Sequence, residues 1–397
     1  MSQILAVSCG SLYHREARYL QGIRLFIALY VGMILLPGYE RLNKRIMCFC
    51  LERECALEIH PFRLDASLHE TIWGGRRLEE AGWKKLPPGD VLIGESWETE
   101  VNTIAQNSLY TGKTLGSLVE ELGVDLLGAD AMAIFGPRFP LLAKFIDARA
   151  KLSVQVHPND QYAHTYEGGK LGKTEFWYIL DATPGAHIVH GFQALCTRAE
   201  VQQAIEGVRL EELMHVEPVK SGDVVFVPAG TVHAIGEGVL LYELQEYSDV
   251  TYRMYDYGRL DAHGRPRQLH VERSLEVTRY EPSTRVKTHP VTLTEAEAYT
   301  ERCLVACRYF VTREIVLRTQ LEGRTDGSCQ ILSSLGADLR VFYGANLAQA
   351  ERLTRGQTMV LPAALGSYRI EGEGAFLASH VPAPEDEAWR KWREQNN

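Results

Sequence analysis

The sequence predicts a mainly β fold, on three observations. From residue 152 onward, short apolar runs recur with turn residues between them: "SVQVH", "EFWYIL", "AHIVHGF", "DVVFVPAG" and "VLLYELQEY". The same habit returns beyond residue 285 in "TREIVLRTQL", "CQILSSL", "DLRVFYG", "QTMVLPA" and "GSYRIEG". Many short strands at regular spacing mark a β-sandwich or barrel. Within the runs polarity alternates: in "KLSVQVHPND", Leu152, Val154 and Val156 interleave with Ser153, Gln155 and His157. Residues two apart on a strand share a face. One face of this strand is therefore apolar, and the other carries a hydroxyl, an amide and an imidazole.

Taken in order, the elements begin at Leu57 with "LEIHPFRLDASLHETIWGGRRLEEAGW", which Gly74-Gly75 punctuates as a turn. Over residues 114–127, "TLGSLVEELGVDLL" puts Leu115, Leu118, Val119 and Leu122 at helical spacing and predicts one short amphipathic helix. "FPLLAKFIDA" reads as a buried strand. "TRAEVQQAIEGV" interrupts the strands as a helix, with Thr197 and Glu200 in the order of a capping box. The end, "PAPEDEAWRKWREQNN", reads as a polar, partly disordered tail.

Charge and cysteine usage narrow the class of function. The 397 residues suffice for two or three domains. There are 51 acidic against 42 basic residues, a formal charge of −9. That balance argues against a nucleic-acid partner, whose binding needs a basic face. The eight cysteines, Cys9, Cys48, Cys50, Cys55, Cys196, Cys303, Cys307 and Cys329, include no CxxC pair and read as free thiols of a reducing cytosol. The apolar run "LFIALYVGMILLP" at residues 25–37 follows Arg15, Arg18 and Arg24. Its length suits a signal-peptide core and is short for a membrane span. No A-x-A cleavage site follows it. The preferred reading is a dispensable leader or an upstream start, with Met47 as the alternative start, because the rest of the chain reads as cytosolic. Export or anchoring is the competing reading.

The strongest local signal is "GDVVFVPAGTVHAI" at residues 222–235, a G-x5-P-x-G-x2-H pattern. It resembles the second conserved motif of the cupins, double-sheet jelly rolls that hold a metal inside the barrel. Pro228 and Gly230 end one strand sharply, and His233 opens the next with its ring toward the barrel mouth. In "GKTEFWYIL", Lys173, Glu175 and Trp177 share one parity, and Phe176, Tyr178 and Leu180 the other. The apolar parity is core, so the charged parity faces the interior. An unpaired charge there is costly, and a divalent cation would satisfy it. Gln155, His157, Glu175 and His233 then offer an amide oxygen, two imidazoles and one carboxylate. This mixed set suits zinc with a position open for water or substrate. With a single carboxylate the ion keeps net positive charge and can polarise a carbonyl or enediolate oxygen.

Together, "LSVQVHPND", "GKTEFWYIL", "VPAGTVHAIGEG" and "YELQEYSDVTYRMYDYGR" resemble the type I mannose-6-phosphate isomerases, particularly their shorter bacterial branch. "ETIWGGRRL" and "FGPRFPLLAKFIDA" are similar to that family as well. The resemblance runs from about residue 57 to about 275, thins after 285 and is absent before 55. It implies a zinc-dependent enzyme with one Zn2+ per chain, held by Gln155, His157, Glu175 and His233. It places the active-site arginine on Arg253, the site lysine on Lys173, the buried glutamate on Glu243 and the site serine on Ser153. The expected reaction interconverts mannose 6-phosphate and fructose 6-phosphate through an enediol. Lys173 and Arg253 would supply positive charge to the phosphate or the enediolate. The base is either Glu243 or a water on the metal. The competing readings are another sugar-phosphate isomerase on the cupin fold and a sugar-phosphate-binding cupin without turnover. One departure is visible: Glu246 stands where a neutral residue is expected. Its parity differs from that of Glu243, so it is expected to face away from the metal.

Other residues compete for attention. His187 and His190 are three apart and face opposite ways on a strand. His263 and His270 stand among arginines in a loop and read as solvated. Trp73 is a candidate wall for a sugar ring, with core packing as the rival. The organisation expected is an extension over 1–55, a catalytic cupin (jelly-roll) barrel with helical insertions over 56–285, a second, degenerate cupin-like β-domain over 286–384, and the tail 385–397. "GQTMVLPAALGSYRIEG" in the second domain begins G-x5-P but has no ligand histidine. The whole reads as a cytoplasmic enzyme for a small sugar phosphate, without a membrane or nucleic-acid partner.

Overall fold

Two apolar parities shape the first half of the molecule, one on each of two sheets. A computed structural model describes residues 59–260 and 264–396. Its strands are β1 (Phe62–Asp65), β2 (Ser67–Gly75), β3 (Ile93–Trp97), β4 (Ile104–Ala105), β5 (Leu141–Ala148), β6 (Val154–Val156), β7 (Glu175–Ala182), β8 (His187–Phe192), β9 (Met214–Pro218), β10 (Val224–Val227), β11 (His233–Ile235), β12 (Val239–Glu246) and β13 (Tyr252–Tyr255). A six-stranded antiparallel sheet runs β10-β7-β12-β5-β3-β2, and a five-stranded one runs β13-β6-β11-β8-β9.

The two sheets face each other. Trp73, Ile146, Trp177 and Leu241 from the first pack with Ile188 and Ile235 from the second, all buried in one cluster. The outer parity of the five-stranded sheet, including Val154, Val156 and Ala234, packs on the helices Arg198–Glu206 and Val271–Val277. The outer parity of the six-stranded sheet, with Phe145, Phe176 and Tyr242, meets the helix Leu115–Leu122 and residues of the C-terminal strands. Both faces of β7 are thus buried, and a charged side chain at its start has no route to bulk water. This is the double-sheet barrel with helical insertions that the sequence predicts.

The C-terminal strands are β14 (Val291–Glu295), β15 (Tyr299–Ala306), β16 (Val311–Leu317), β17 (Gln320–Arg324), β18 (Gln330–Ser334), β19 (Asp338–Tyr343), β20 (Gln349–Leu353), β21 (Thr358–Leu361) and β22 (Ser367–His380). They form an eleven-stranded sheet whose main path, β14-β15-β16-β22-β18-β21, continues into β1 and β4. Ile315, Leu332, Met359, Phe376 and Ala378 line its own apolar core.

Two local expectations are corrected. The single helix expected over 114–127 is two, Leu115–Leu122 and Val124–Leu127, because Gly123 takes φ +54 and breaks the ladder. The tail is ordered: Glu387–Asn396 is a helix. Ala388, Trp392 and Asn396, four apart, lie on one buried face, and Trp392 Nε1–H donates to Leu304 O at 3.1 Å. The capping box at Thr197 and Glu200 is present in both halves. The cysteines among the described residues, Cys196, Cys303, Cys307 and Cys329, are unpaired. The apolar run at 25–37, Met47 and the four earlier cysteines lie outside the described residues. Among the described residues, no helix is long and apolar enough to cross a membrane.

Candidate metal centre

The turn before His233 is possible only with glycine. Gly230 adopts φ +88, and a Cβ there would meet Val277 O at 2.9 Å. Its N–H donates to His157 O at 2.8 Å, which ties the turn to β6. His233 then opens β11 directly opposite Gln155, and Gln155 in turn is opposite Arg253 of β13. Arg253, Gln155 and His233 therefore lie in one cross-strand row, where side chains on the shared face are neighbours. Glu175 opens β7 on the facing sheet, paired with Val227 and Gln245. Lys173 N–H donates to Pro158 O at 3.0 Å and holds the two ligand-bearing segments side by side.

These elements converge on a buried donor cluster. His157, Glu175 and His233 present ligand atoms all within 4.8 Å of one another. Glu175 Oε2 is 3.6 Å from His157 Nε2, and Oε1 is 3.3 Å from His233 Nε2. All three are essentially inaccessible, at 0–1 % exposure. Gln155 Nε2 lies 3.2 Å from His233 Nε2, and turning the carboxamide over brings its oxygen to the same place. Each histidine Nδ1–H has a backbone acceptor, Val250 O at 2.9 Å for His157 and Thr231 O at 2.8 Å for His233. This fixes the tautomer and leaves both Nε2 lone pairs facing Glu175, the arrangement metal-ligating histidines adopt. Burial pushes the His157 pKa well below its ordinary value and that of His233 down to about 3, so both rings are neutral. Glu175 Oε1 is buried without a hydrogen-bond donor. Burial, and then the nearby Glu243, push its carboxyl up to about 7. Two neutral imidazoles and a carboxylate with one oxygen left without a donor fit a divalent cation.

Charged residues surround the cluster. The Lys173 ammonium contacts Glu175 and lies 3.1 Å from His157 Nε2 and 4.0 Å from Glu243. Glu243 receives Trp177 Nε1–H at 3.0 Å and pairs with Lys144 at 3.1 Å. Burial alone would raise its pKa, but Lys173 and Lys144 outweigh that and hold it at about 2. Lys144 is the residue the sequence reading passed over. It is 6 % exposed, between Glu243 and Glu95, with its ammonium 4.7 Å from the Trp97 ring centre. The available signal was a lysine inside the buried run "FPLLAKFIDA", where an unpaired cation is rarely tolerated.

Toward the rim, Arg253 is half-buried, donating from Nε to Ser153 Oγ at 3.3 Å and from Nη1 to Gln268 O at 2.9 Å. His270 is not the solvated loop residue expected: its Nδ1 accepts the Arg253 backbone N–H at 3.1 Å. The Asp256 carboxylate is shared by Arg259 at 3.1 Å and Arg267 at 2.7 Å, so cations outnumber acids beside Arg253. Trp73 is 5 % exposed, within the same apolar cluster as Trp177. Glu246 is buried and accepts the Thr174 N–H at 2.7 Å, with its pKa raised well above the usual range by burial and then by Asp160. His187 is exposed. His190 is directly opposite His233, yet its Nδ1 meets Ser283 Oγ at 2.7 Å and its Nε2 meets Phe226 O at 3.0 Å, so neither nitrogen is left for a metal. His263 lies outside the described residues.

Comparison with known proteins bears on this geometry. The family model for the catalytic domain of type I phosphomannose isomerase matches residues 61–184. The chain is 38% identical over 316 residues to mannose-6-phosphate isomerase ManA of Bacillus subtilis (strain 168), covering 79% of this chain and 96% of that protein. It is 33% identical over 324 residues to mannose-6-phosphate isomerase of Streptococcus mutans, covering 81% and 98%. Among solved structures, the mannose 6-phosphate isomerase from Bacillus subtilis superposes with a TM-score of 0.73 at 32% identity, covering 81% of this chain and 99% of that one. A putative mannosephosphate isomerase from Archaeoglobus fulgidus shares the fold, with a TM-score of 0.64 at 20% identity over 83% of this chain and 100% of that one.

Proposed function

The chain belongs to the type I phosphomannose isomerase family, which is metal-dependent, and from that premise we propose that its cofactor is one zinc ion held by Gln155, His157, Glu175 and His233. The protein interconverts mannose 6-phosphate and fructose 6-phosphate. The observation that carries the ligand set is the buried His157–Glu175–His233 cluster, in which both Nε2 atoms lie within 3.6 Å of the carboxylate and its Oε1 lacks a donor. When bound, the ion supplies positive charge that polarises the sugar oxygens.

The chain's own residues do the rest. Lys173 Nζ, already within reach of Glu175 and Glu243, carries positive charge to the oxygens on which negative charge develops. Glu243 stays ionised at neutral pH. It takes the C2 proton of the open-chain aldose on a carboxylate oxygen and returns one to C1. Arg253, seated by Ser153 and His270, presents a fixed fork of donors at the rim. Arg259 and Arg267 add to the field that favours the phosphate. Trp73 packs in the apolar cluster that also holds Trp177. We assign residues 56–285 to the catalytic domain and 286–384 to a cupin-like companion, whose sheet β1 and β4 of the first segment complete. The small sugar phosphate is the only partner proposed, in a reducing cytosol suited to the unpaired cysteines.

Turnover of mannose 6-phosphate by the purified protein, before and after chelation, tests the reading. Activity should vanish with the metal and return with zinc. In deuterated water the fructose 6-phosphate formed should carry label at C1. Metal-loaded protein that binds mannose 6-phosphate without converting it would overturn the assignment.

A further inference from the structure

Three consecutive backbone N–H groups hold the segment that carries Lys173, and each has a different acceptor. Gly172 donates to Asp160 Oδ1 at 2.9 Å, Lys173 to Pro158 O at 3.0 Å and Thr174 to Glu246 Oε1 at 2.7 Å. Two carboxyl groups thus hold the chain on either side of Lys173. They also meet each other, since the side chains of Glu246 and Asp160 are in hydrogen-bonding contact. Two ionised carboxylates in such contact repel, and a single proton on one of them turns the repulsion into a hydrogen bond.

The surroundings decide which acid keeps the proton. The Asp160 side chain is 33 % exposed and well supplied with donors: beside the Gly172 N–H it accepts the Tyr309 O–H at 2.7 Å, with the Arg308 guanidinium 3.7 Å away. Glu246 is 1 % exposed, and its Oε2 is buried without a donor. Its neighbours on the two flanking strands bring no charge: Leu141 of β5 is directly opposite, and Thr174 precedes β7. The other titratable groups that face it, Cys307 and Tyr309, are kept neutral because burial raises their pKa values. Glu246 is therefore the acid that holds the proton, and it becomes the neutral residue expected at this position. A protonated carboxyl can accept through one oxygen and donate from the other, which serves Thr174 and Asp160 together.

We propose that Glu246 is a positioning residue for the isomerase reaction: its carboxyl proton, donated to Asp160, closes a clamp on residues 172–174 and so holds the Lys173 ammonium beside Glu175 and Glu243. This rests on the role given above to Lys173. The clamp is anchored in the C-terminal half, because Tyr309 lies in the turn between β15 and β16. Loss of the proton leaves two negative charges in contact. Asp160, the more exposed of the two, then swings away and releases Gly172. The Glu246 pKa is raised well above the usual range, by burial first and then by Asp160. The clamp is thus closed below that value and opens as pH rises through it.

The test compares the full-length, metal-loaded enzyme with Glu246→Gln and Glu246→Leu across pH. A glutamine accepts through its oxygen and donates from its amide at every pH. Glu246→Gln should therefore keep wild-type kcat at neutral pH and carry it further into the alkaline range. Glu246→Leu loses both bonds and should lower kcat about tenfold or more, within the 10²-fold that misplacing a catalytic group can cost, with KM and metal content little changed. The infrared difference spectrum between neutral and alkaline pH should contain the C=O band of a carboxylic acid that ionises, and Glu246→Gln should remove it. This band reports the proton directly, even if the leucine variant does not fold. Absence of the band, an alkaline limb unmoved in Glu246→Gln, or full turnover in Glu246→Leu would each overturn the proposal. Normal turnover in Lys173→Met, with the band in place, would refute the role of Lys173 instead.

Discussion

Metal binding at this site is decided by where its protons are. Both imidazoles spend their proton on a backbone carbonyl and keep one lone pair each, and burial keeps them neutral far into acid. Glu175 is the group that titrates, because burial and Glu243 raise its carboxyl to about 7 against the opposing pull of Lys173. Above that value the metal meets a free carboxylate, and below it the metal must displace one proton. Zinc affinity should therefore be flat above about pH 7 and fall about tenfold per unit below it, since the ligand must be deprotonated. Competition against a chromophoric chelator across that range measures the slope, and a flat profile would show that Glu175 is not a ligand. Arg253→Ala should lower turnover by about 10²-fold, the scale for losing one donor to a developing charge, with zinc content unchanged. Unaltered turnover with weaker sugar binding would restrict Arg253 to holding the phosphate. Lys144→Met removes the partner of both Glu243 and Glu95. Breaking a buried pair costs about 3–5 kcal/mol, so its denaturation midpoint should drop, and an unchanged midpoint would discount the network. The four proposed ligands were legible because Gln155, Glu175 and His233 fall on strands whose parity is visible in the sequence and His157 directly follows one. Lys144 was not, since the acids it pairs with, Glu95 and Glu243, are far away in the chain.

Strands and turns carried most of the readable information, and helices less. Alternation in "KLSVQVHPND" and "GKTEFWYIL" reports burial on one face at a time, which is a property of the residue itself. Helix limits depend on single backbone positions, and Gly123 divided one expected helix into two through a φ that spacing does not encode. The terminal helix was hidden for another reason: its apolar residues are few and its surface is strongly charged. Only the docking surface reveals the role of Trp392, which packs near Phe226 at 6.1 Å between ring centres and donates to Leu304 O. Trp392→Ala should cost about 3–5 kcal/mol, the range for removing a buried aromatic, with turnover unchanged at low temperature. A loss under 1 kcal/mol in urea unfolding would mean that the helix is only loosely held.

At the scale of the whole molecule, the ends of the chain are interleaved. β1 is placed between β21 and β4, with Phe62 opposite Val360 and fully buried. A strand that precedes the catalytic residues in sequence thus completes the sheet formed by the last third of the chain. Sequence reading could not find this, because the pairing of β1 with β21 spans nearly 300 residues and leaves no local pattern. It also separates two kinds of truncation. A chain begun at Met47 keeps every described contact of the metal centre and of the C-terminal sheet. It should be as active and as heat-stable as the full chain. A chain begun at Ser67 loses β1, which detaches β4 and exposes the β21 edge as a row of unpaired N–H and C=O groups, a template for association. It also loses the burial of Phe62, for which the Phe→Ala scale of about 3–5 kcal/mol sets a lower bound. It should melt at a distinctly lower temperature or aggregate, although all four proposed metal ligands are retained. Light scattering and thermal unfolding of the two truncations decide the matter. Equal stability would show that β1 is only an appendage, and loss of activity in the Met47 form would give residues 1–46 a part in function.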